Sequence, residues 1–212
     1  MKIGITGTPG TGKSAVAERL AKALKIDALN EKDFVLREKI AGAGKNYATV
    51  KGRGKSGKKG NGKGPEKPIK GEKPEKNTEN QPAGKNPGKS AEEALEVPLD
   101  ALEKKLNKML AGKRSIIVEG HLLCDIKADF DAVFVLRCAP EKIGERLQNR
   151  GYNEVKVQDN VFCEETGYCL KHALENYGRG KVFGVECGKS IKETTGIIIS
   201  ELGRIESLKK GG

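Results

Sequence analysis

The segment Gly7-Thr8-Pro9-Gly10-Thr11-Gly12-Lys13-Ser14 spells G-x-x-x-x-G-K-S/T without a mismatch. Glycines at these positions let successive backbone N–H groups turn inward around an anion. Lys13 brings a compact positive charge to the β- and γ-phosphates of a nucleotide, and Ser14 offers a hydroxyl to Mg²⁺. The chemistry implied is the binding of a nucleoside di- or triphosphate. Two later segments bear on what is done with it. Ile116-Ile117-Val118-Glu119-Gly120-His121 puts a carboxylate at the end of an apolar run. That is the Walker B position, from which Glu119 holds Mg²⁺ or its water shell. On a strand, His121 projects to the same side as Glu119. Further on, Arg146 and Arg150 stand four residues apart and share one face of a helix. Beside bound phosphates they neutralise charge that develops during transfer; without phosphates they are the solvated basic end of a helix.

These residues need elements that place them. Lys2 to Thr6 is short, apolar and β-prone. Ser14 to Lys25 carries Val16, Leu20, Ala23 and Leu24 on one helical face, which completes the strand–loop–helix order. A short strand over Ile26–Asn30 and a helix over Glu31–Ala41 follow. Order resumes near Ala91, and Leu99, Leu102, Leu106, Met109 and Leu110 form a helical stripe that Gly112 ends. Ser115–Glu119 and Ala132–Arg137 are apolar without alternation, as central parallel strands are. Pro140 begins a helix that continues through Glu141–Gln148. A long polar helix is predicted over Glu154–Asn176, a strand over Lys181–Cys187 and a closing helix over Ser190–Lys209. Strands alternating with helices imply a P-loop NTPase fold, a parallel sheet with helices on both faces and ligands at the carboxyl ends of the strands.

Charge is unevenly spread. The 212 residues carry a net +11. Residues 45–90, a Gly-, Lys-, Pro- and Asn-rich stretch, hold 13 Lys+Arg against 4 Glu, so nearly all the basic character sits there. With almost no large apolar side chains the stretch is predicted to be a disordered insert. It is either a solvated loop expansion or a segment drawn to polyphosphate by counterion release, with too few aromatics for base stacking. The remainder, residues 1–44 and 91–208, is a normal size for one α/β domain. Five cysteines with no C-x-x-C pair argue against a disulfide framework or zinc site and for reduced, partly buried thiols. A strand starting at residue 2 leaves no room for a signal peptide, and no apolar run approaches the length of a membrane span. The expectation is therefore a soluble intracellular protein without membrane association. Small-molecule kinases, nucleotide kinases and GTPases all share the opening motif; the lack of an Asn-Lys-x-Asp sequence disfavours the last.

The loop 7–14 together with Glu119-Gly120-His121, Phe134-Val135-Leu136-Arg137, Glu145-Arg146-Leu147 and Arg150-Gly151-Tyr152-Asn153 resembles the adenylate kinase isoenzyme 6 family. This is the ribosome-biogenesis branch of the nucleoside monophosphate kinases. The resemblance runs through most of residues 1–41 and 91–208, and the stretch from Arg150 through Asp159-Asn160 and Cys163-Glu164 is its most diagnostic part. It implies transfer of phosphate from ATP to AMP or another nucleoside monophosphate with Mg²⁺, ATP hydrolysis, and late maturation of the small ribosomal subunit with rRNA processing. It also implies a small-subunit ribosomal protein as partner and a cytoplasmic location, or a nuclear one in a eukaryote. The basic insert would then meet rRNA. Carried over by match, Gly10, Gly12, Lys13, Ser14 and Ala15 hold the ATP phosphates. Arg150 contacts ATP from a short lid over 149–159, Lys189 lies near the base, Ser14 and Glu119 serve the metal, and His121 serves hydrolysis. Lys13, His121, Arg146 and Arg150 are thus the catalytic candidates. The family often has Asp where this chain has Glu119. Some members carry Arg where it has Leu36, with Arg37 one step off that register. An alternative keeps the nucleotide site but makes the chain an ATP-switched ribosome assembly factor that grips a ribosomal protein and rRNA, with little kinase activity.

Overall fold

The computed structural model describes residues 1–40 and 96–210, with the side chains of 209 and 210 left aside. The basic stretch 45–90 and its predicted disorder lie outside the described residues. The described chain runs β1 (Lys2–Gly7), α1 (Lys13–Leu24), β2 (Ala28–Asn30), α2 (Glu31–Arg37), α3 (Leu99–Ala111) and β3 (Ile116–Glu119). A single 3₁₀ turn over Leu122–Asp125 leads to β4 (Ala132–Arg137), α4 (Pro140–Asn149), α5 (Glu154–Glu165), α6 (Tyr168–Tyr177), β5 (Val182–Glu186) and α7 (Ile191–Lys210). The five strands form one parallel sheet in the order β2-β3-β1-β4-β5.

Both faces of the sheet are apolar, which is why its strands show no hydrophobic–polar alternation. On β3, Ile116 and Val118 face α2, α3 and α6, whereas Ile117 faces α1 and α7. On β4, Val133 and Val135 take the first side and Ala132, Phe134 and Leu136 the second. Period-two geometry has thus given each strand two buried faces. Helices cover them through stripes such as Leu102, Leu106 and Leu110 of α3, all fully buried, each worth about 1.5–3 kcal/mol relative to exposure. The active end of the sheet is where β1 and β3 terminate.

Three departures from the sequence-based expectation exceed a single residue. The helix expected to run to Ala41 ends at Arg37. Lys39 adopts φ 50° and the Ile40 N–H returns to the Val35 carbonyl at 3.0 Å, a 6→1 closure that stops the helix. The strand expected from Ile26 starts at Ala28, because Lys25 at φ 55° and a bond from Ile26 N–H to the Ala21 carbonyl still belong to the end of α1. The long helix over Glu154–Asn176 is two helices. The Gly167 N–H closes on the Glu164 carbonyl at 3.0 Å, Thr166 Oγ1 donates to the Phe162 carbonyl at 2.9 Å, and Gly167 at φ 65° redirects the chain into α6. The break leaves Glu164 in the last turn of α5.

Candidate active site

The loop joining β1 to α1 turns on residues with positive φ, Gly10 at 97° and Gly12 at 91°. Gly12 is also the N-cap of α1, so the conformation that glycine alone adopts cheaply stands where the helix dipole begins. Lys13, the first residue of α1, folds back: its Nζ donates to the Gly7 carbonyl at 2.9 Å and the Thr8 carbonyl at 3.1 Å. Burial lowers the Lys13 pKa, opposed by Cys169 and by the carboxylates of Glu119 and Glu31. A buried ammonium resting on two carbonyls at a helix N-terminus can exchange them for an incoming polyphosphate. The exposed Ser14 and Ala15 form the start of the same helix.

Glu119 ends β3 directly beside this loop and is 5% exposed. Its Oε1 accepts from Ser14 Oγ at 2.9 Å and also from Asn30 Nδ2. Asn30 has a second task, capping α2 through Oδ1, which accepts from the Asp33 N–H at 3.1 Å. Serine hydroxyl and carboxylate therefore meet as hard oxygen donors, the type that suits Mg²⁺. Among the described residues no group of three or more His, Cys, Asp or Glu is arranged to hold a metal. A cation here fits the usual Mg²⁺ pattern of few protein ligands completed by phosphate and water.

His121 is the N-cap of the 3₁₀ turn rather than a strand residue, because β3 ends at Glu119. Its Nδ1 lies 3.8 Å from Oε1 of Glu31, a carboxylate only 2% exposed whose Oε2 accepts from the Leu122 N–H at 2.9 Å. Burial, and then the charge of Lys13, hold the His121 imidazole well below its ordinary pKa, in the neutral form. Gly120 makes this packing feasible. A Cβ there would stand 2.1 Å from Glu31 Oε2 and 2.3 Å from Glu31 Cβ.

The two arginines separate. Arg146 Nη1 donates to the Gly10 carbonyl at 2.9 Å and approaches Cys138 Sγ at 3.5 Å, tying α4 to the phosphate loop. Arg150 lies one residue past the end of α4 as its C-cap and is exposed. Lys189 is exposed in the turn between β5 and α7, its N–H bound to Glu193 Oε2 at 2.8 Å. That turn adjoins the phosphate loop, since Cys187 Sγ donates to the Thr11 carbonyl at 3.3 Å. Arg37 lies on the outside of α2, its guanidinium 5.5 Å from the centre of the Phe34 ring. All five cysteines are free, as expected, and three of them are buried.

Sequence reasoning did not single out Asn30, Glu31 or Glu164. In the sequence Asn30 reads as the end of a short strand and Glu31 as the ordinary polar start of a helix. Glu164 stood within a stretch noted for resemblance alone, and its partner Thr8 lies 156 residues away.

A protein of Pyrococcus furiosus described as "Putative adenylate kinase" is 32% identical over 177 residues, which cover 84% of this chain and 71% of that one. A similarly described protein of Thermococcus kodakarensis is 29% identical over 175 residues. The adenylate kinase isoenzyme 6 homolog of Caenorhabditis elegans is 41% identical over 92 residues, 42% of this chain and 47% of that one. The chain belongs to the adenylate kinase isoenzyme 6 family. A family model for an AAA domain matches residues 69–167, a range that takes in β3, β4 and α4 but not the loop at 7–14. Among solved structures, a gluconokinase from Sinorhizobium meliloti superposes with a TM-score of 0.54 at 14% identity, covering 100% of this chain and 97% of that one. A deoxyadenosine kinase from M. mycoides gives 0.52 at 16% identity, covering 96% of this chain and all of that one. At these identities the likeness establishes a P-loop kinase fold for this member of the family.

Proposed function

We propose that the chain is a nucleoside monophosphate kinase that transfers the γ-phosphoryl group of ATP to AMP, with ATP hydrolysis as a second activity. The observation that carries the proposal is the meeting of Lys13, Ser14 and Glu119 at the carboxyl ends of β1 and β3. A phosphate-binding loop, a hydroxyl and a carboxylate converge there within hydrogen-bond reach. Membership of the adenylate kinase isoenzyme 6 family supports AMP as acceptor.

The chain's residues act by position and charge. The loop amides of Gly10, Gly12, Lys13, Ser14 and Ala15 and the α1 N-terminus take the β- and γ-phosphates, and Lys13 Nζ leaves the Gly7 and Thr8 carbonyls to join them. Ser14 and Glu119 would hold Mg²⁺, which when bound screens the phosphate charge. Arg150 comes over ATP from the segment 149–159, which serves as a short lid. Lys189 borders the base. Arg146 keeps the loop in place through Gly10 and adds positive charge. Neutral His121 has a ring nitrogen able to accept a hydrogen bond from an attacking water and so orient it, which gives it a role in hydrolysis. No covalent intermediate is required.

The family reading extends to late maturation of the small ribosomal subunit, with a small-subunit ribosomal protein as partner and rRNA met by the basic stretch 45–90. A cytoplasmic or nuclear site of action belongs to that reading. Among the described residues no helix is long and apolar enough to cross a membrane.

The test is steady-state ADP formation with ATP and each common monophosphate, alongside Lys13→Ala. ADP formation rising steeply with AMP, and lost in the variant, is expected. Near-normal activity of Lys13→Ala would overturn the site. Turnover indifferent to AMP but stimulated by the ribosomal protein would replace the kinase with an ATP-switched assembly factor.

A further inference from the structure

Beneath the phosphate loop lies a carboxylate with no part in the chemistry above. Glu164, in the last turn of α5, is 4% exposed, and Thr8, the second residue of the loop, is 1% exposed. Thr8 Oγ1 donates a hydrogen bond to Glu164 Oε2. The other oxygen, Oε1, accepts from the Cys138 N–H at 2.8 Å and lies 3.8 Å from Arg137 Nε at the end of β4. A carboxylate so buried carries a large desolvation cost and persists only where its lone pairs are satisfied.

Thr8 is the node through which this carboxylate reaches the active lysine. Its side chain is held by Glu164. Its carbonyl accepts from Lys13 Nζ at 3.1 Å and from Thr11 Oγ1 at 2.9 Å. Glu164 is thus two hydrogen-bonded contacts from the Lys13 ammonium. A second tie reaches the loop from the same quarter. Arg146 Nη1 binds the Gly10 carbonyl at 2.9 Å and approaches Sγ of Cys138, the residue whose N–H Glu164 holds. Thr8, Glu164, Cys138, Arg146 and Gly10 form a closed circuit. It joins the loop to α4 and α5, the helices on either side of the turn at 150–153.

We propose that Glu164 is a positioning residue for the phosphate loop. Through Thr8 it fixes the carbonyls on which Lys13 rests and the direction of the amides that follow. It also transmits to that loop the position of α4 and α5, which meet at the turn 150–153. The inference rests on the nucleotide-binding reading given above. A loop held rigid before its ligand arrives binds without an ordering cost. A loop released from the circuit bears that cost on binding and directs its amides less accurately at the phosphates.

The test is Mg²⁺-ADP binding by calorimetry on the full chain, with kcat and KM for ATP measured in parallel. The variants are Thr8→Val, which keeps shape and removes the donor, Glu164→Gln, Thr8→Ser and the double Thr8→Val/Glu164→Gln. Thr8→Val and Glu164→Gln should each weaken ADP binding about tenfold and raise KM for ATP similarly, with a smaller fall in kcat. Thr8→Ser, which restores the hydroxyl, should recover most of the affinity. The double variant should be no worse than the weaker-binding single, because both act through the same Thr8–Glu164 contact. If Glu164→Gln does not fold, Thr8→Val and Thr8→Ser carry the test. ADP affinity within twofold of the parent in folded Thr8→Val overturns the proposal, as do fully additive losses in the double variant. A parent chain that binds no ADP overturns the nucleotide-binding reading itself, a result distinct from variants that match a binding parent.

Discussion

Ser14 and Glu119, 105 residues apart in sequence, are joined by a 2.9 Å hydrogen bond from the serine hydroxyl to the carboxylate Oε1. The bond exists because β3 lies beside β1 with Ile5 paired to Glu119, so the carboxylate arrives level with the start of α1. Asn30 donates to the same oxygen from the end of β2, so three strands or their loops fix one carboxylate.

That arrangement predicts how metal dependence responds to mutation. Glu119→Gln keeps the shape and removes the charge, and should raise the Mg²⁺ concentration for half-maximal turnover by about 10–100-fold. Asn30→Ala, which removes an orienting donor and leaves the charge, should raise it less. Turnover titrated against Mg²⁺ at fixed ATP measures both. Equal Mg²⁺ requirements in the parent and Glu119→Gln would remove the carboxylate from the metal site.

Gly120 offers a test of the packing behind His121. An added Cβ would stand 2.3 Å from Glu31 Cβ, an atom that cannot swing away because it is fixed to the α2 backbone. Gly120→Ala must therefore push α2 or the 119–122 segment aside. It should destabilise by about 1–3 kcal/mol, the range for forced overpacking. Urea unfolding with an unchanged m-value measures it. A loss under about 0.5 kcal/mol, the level of neutral surface changes, would contradict the close approach.

The two arginines are expected to fail differently. Arg146→Ala deletes the donor to the Gly10 carbonyl, a bond worth about 0.5–1.5 kcal/mol, and should lower the melting midpoint along with nucleotide affinity. Arg150 is exposed at the end of α4, so Arg150→Ala should leave the midpoint unchanged and lower kcat, by about a hundredfold if it stabilises the transferring group. Melting curves and kinetics on the same preparations separate the two. A matching fall in midpoint for Arg150→Ala would sink the distinction.

What the sequence disclosed and what it hid follow a physical division. The phosphate loop was legible because its function is carried by local backbone conformation, which glycine spacing encodes directly. The parallel sheet was legible because doubly buried strands such as Ala132–Arg137 must be apolar throughout. The break at Gly167 was hidden, since a lone glycine in a helical pattern is compatible with continuation. Glu164 and Glu31 were hidden for a different reason. A buried acid looks like an exposed one until the partner that repays its desolvation is known, and here the partners are Thr8, 156 residues away, and Leu122, 91 residues away. Arg146 was identified as a charge near phosphate, whereas the structure shows it also holding the Gly10 carbonyl.

His121 divides the two proposed activities. Burial and the charge of Lys13 hold its imidazole neutral, with Nδ1 3.8 Å from Glu31 Oε1 and able to accept a hydrogen bond from water. His121→Ala should reduce AMP-independent ATP hydrolysis by about a hundredfold, the scale of a misplaced reactant, and reduce AMP-dependent transfer much less. Measuring phosphate release without AMP and ADP formation with AMP on one preparation gives both numbers. An equal loss in both would assign His121 to the shared transfer step.

The net +11 of the chain is concentrated between residues 45 and 90, outside the described residues, where 13 Lys+Arg oppose 4 Glu. The elements that build the site lie on either side of that stretch, and the hydrogen bonds that hold Lys13, Glu119 and Arg146 among the described residues come from those elements. Deleting residues 46–89 and closing the gap with a short Gly/Ser linker should therefore leave AMP-dependent ADP formation largely intact. Affinity for ribosomal RNA should fall at low salt. The dependence of log affinity on log salt should flatten too, by about 0.7–0.9 in slope for every phosphate that the basic side chains no longer neutralise. Filter binding or fluorescence anisotropy across a salt series reads both quantities. Unchanged RNA affinity and slope would mean that the stretch is a solvated expansion, whereas lost transfer with preserved RNA binding would place part of the monophosphate site within it.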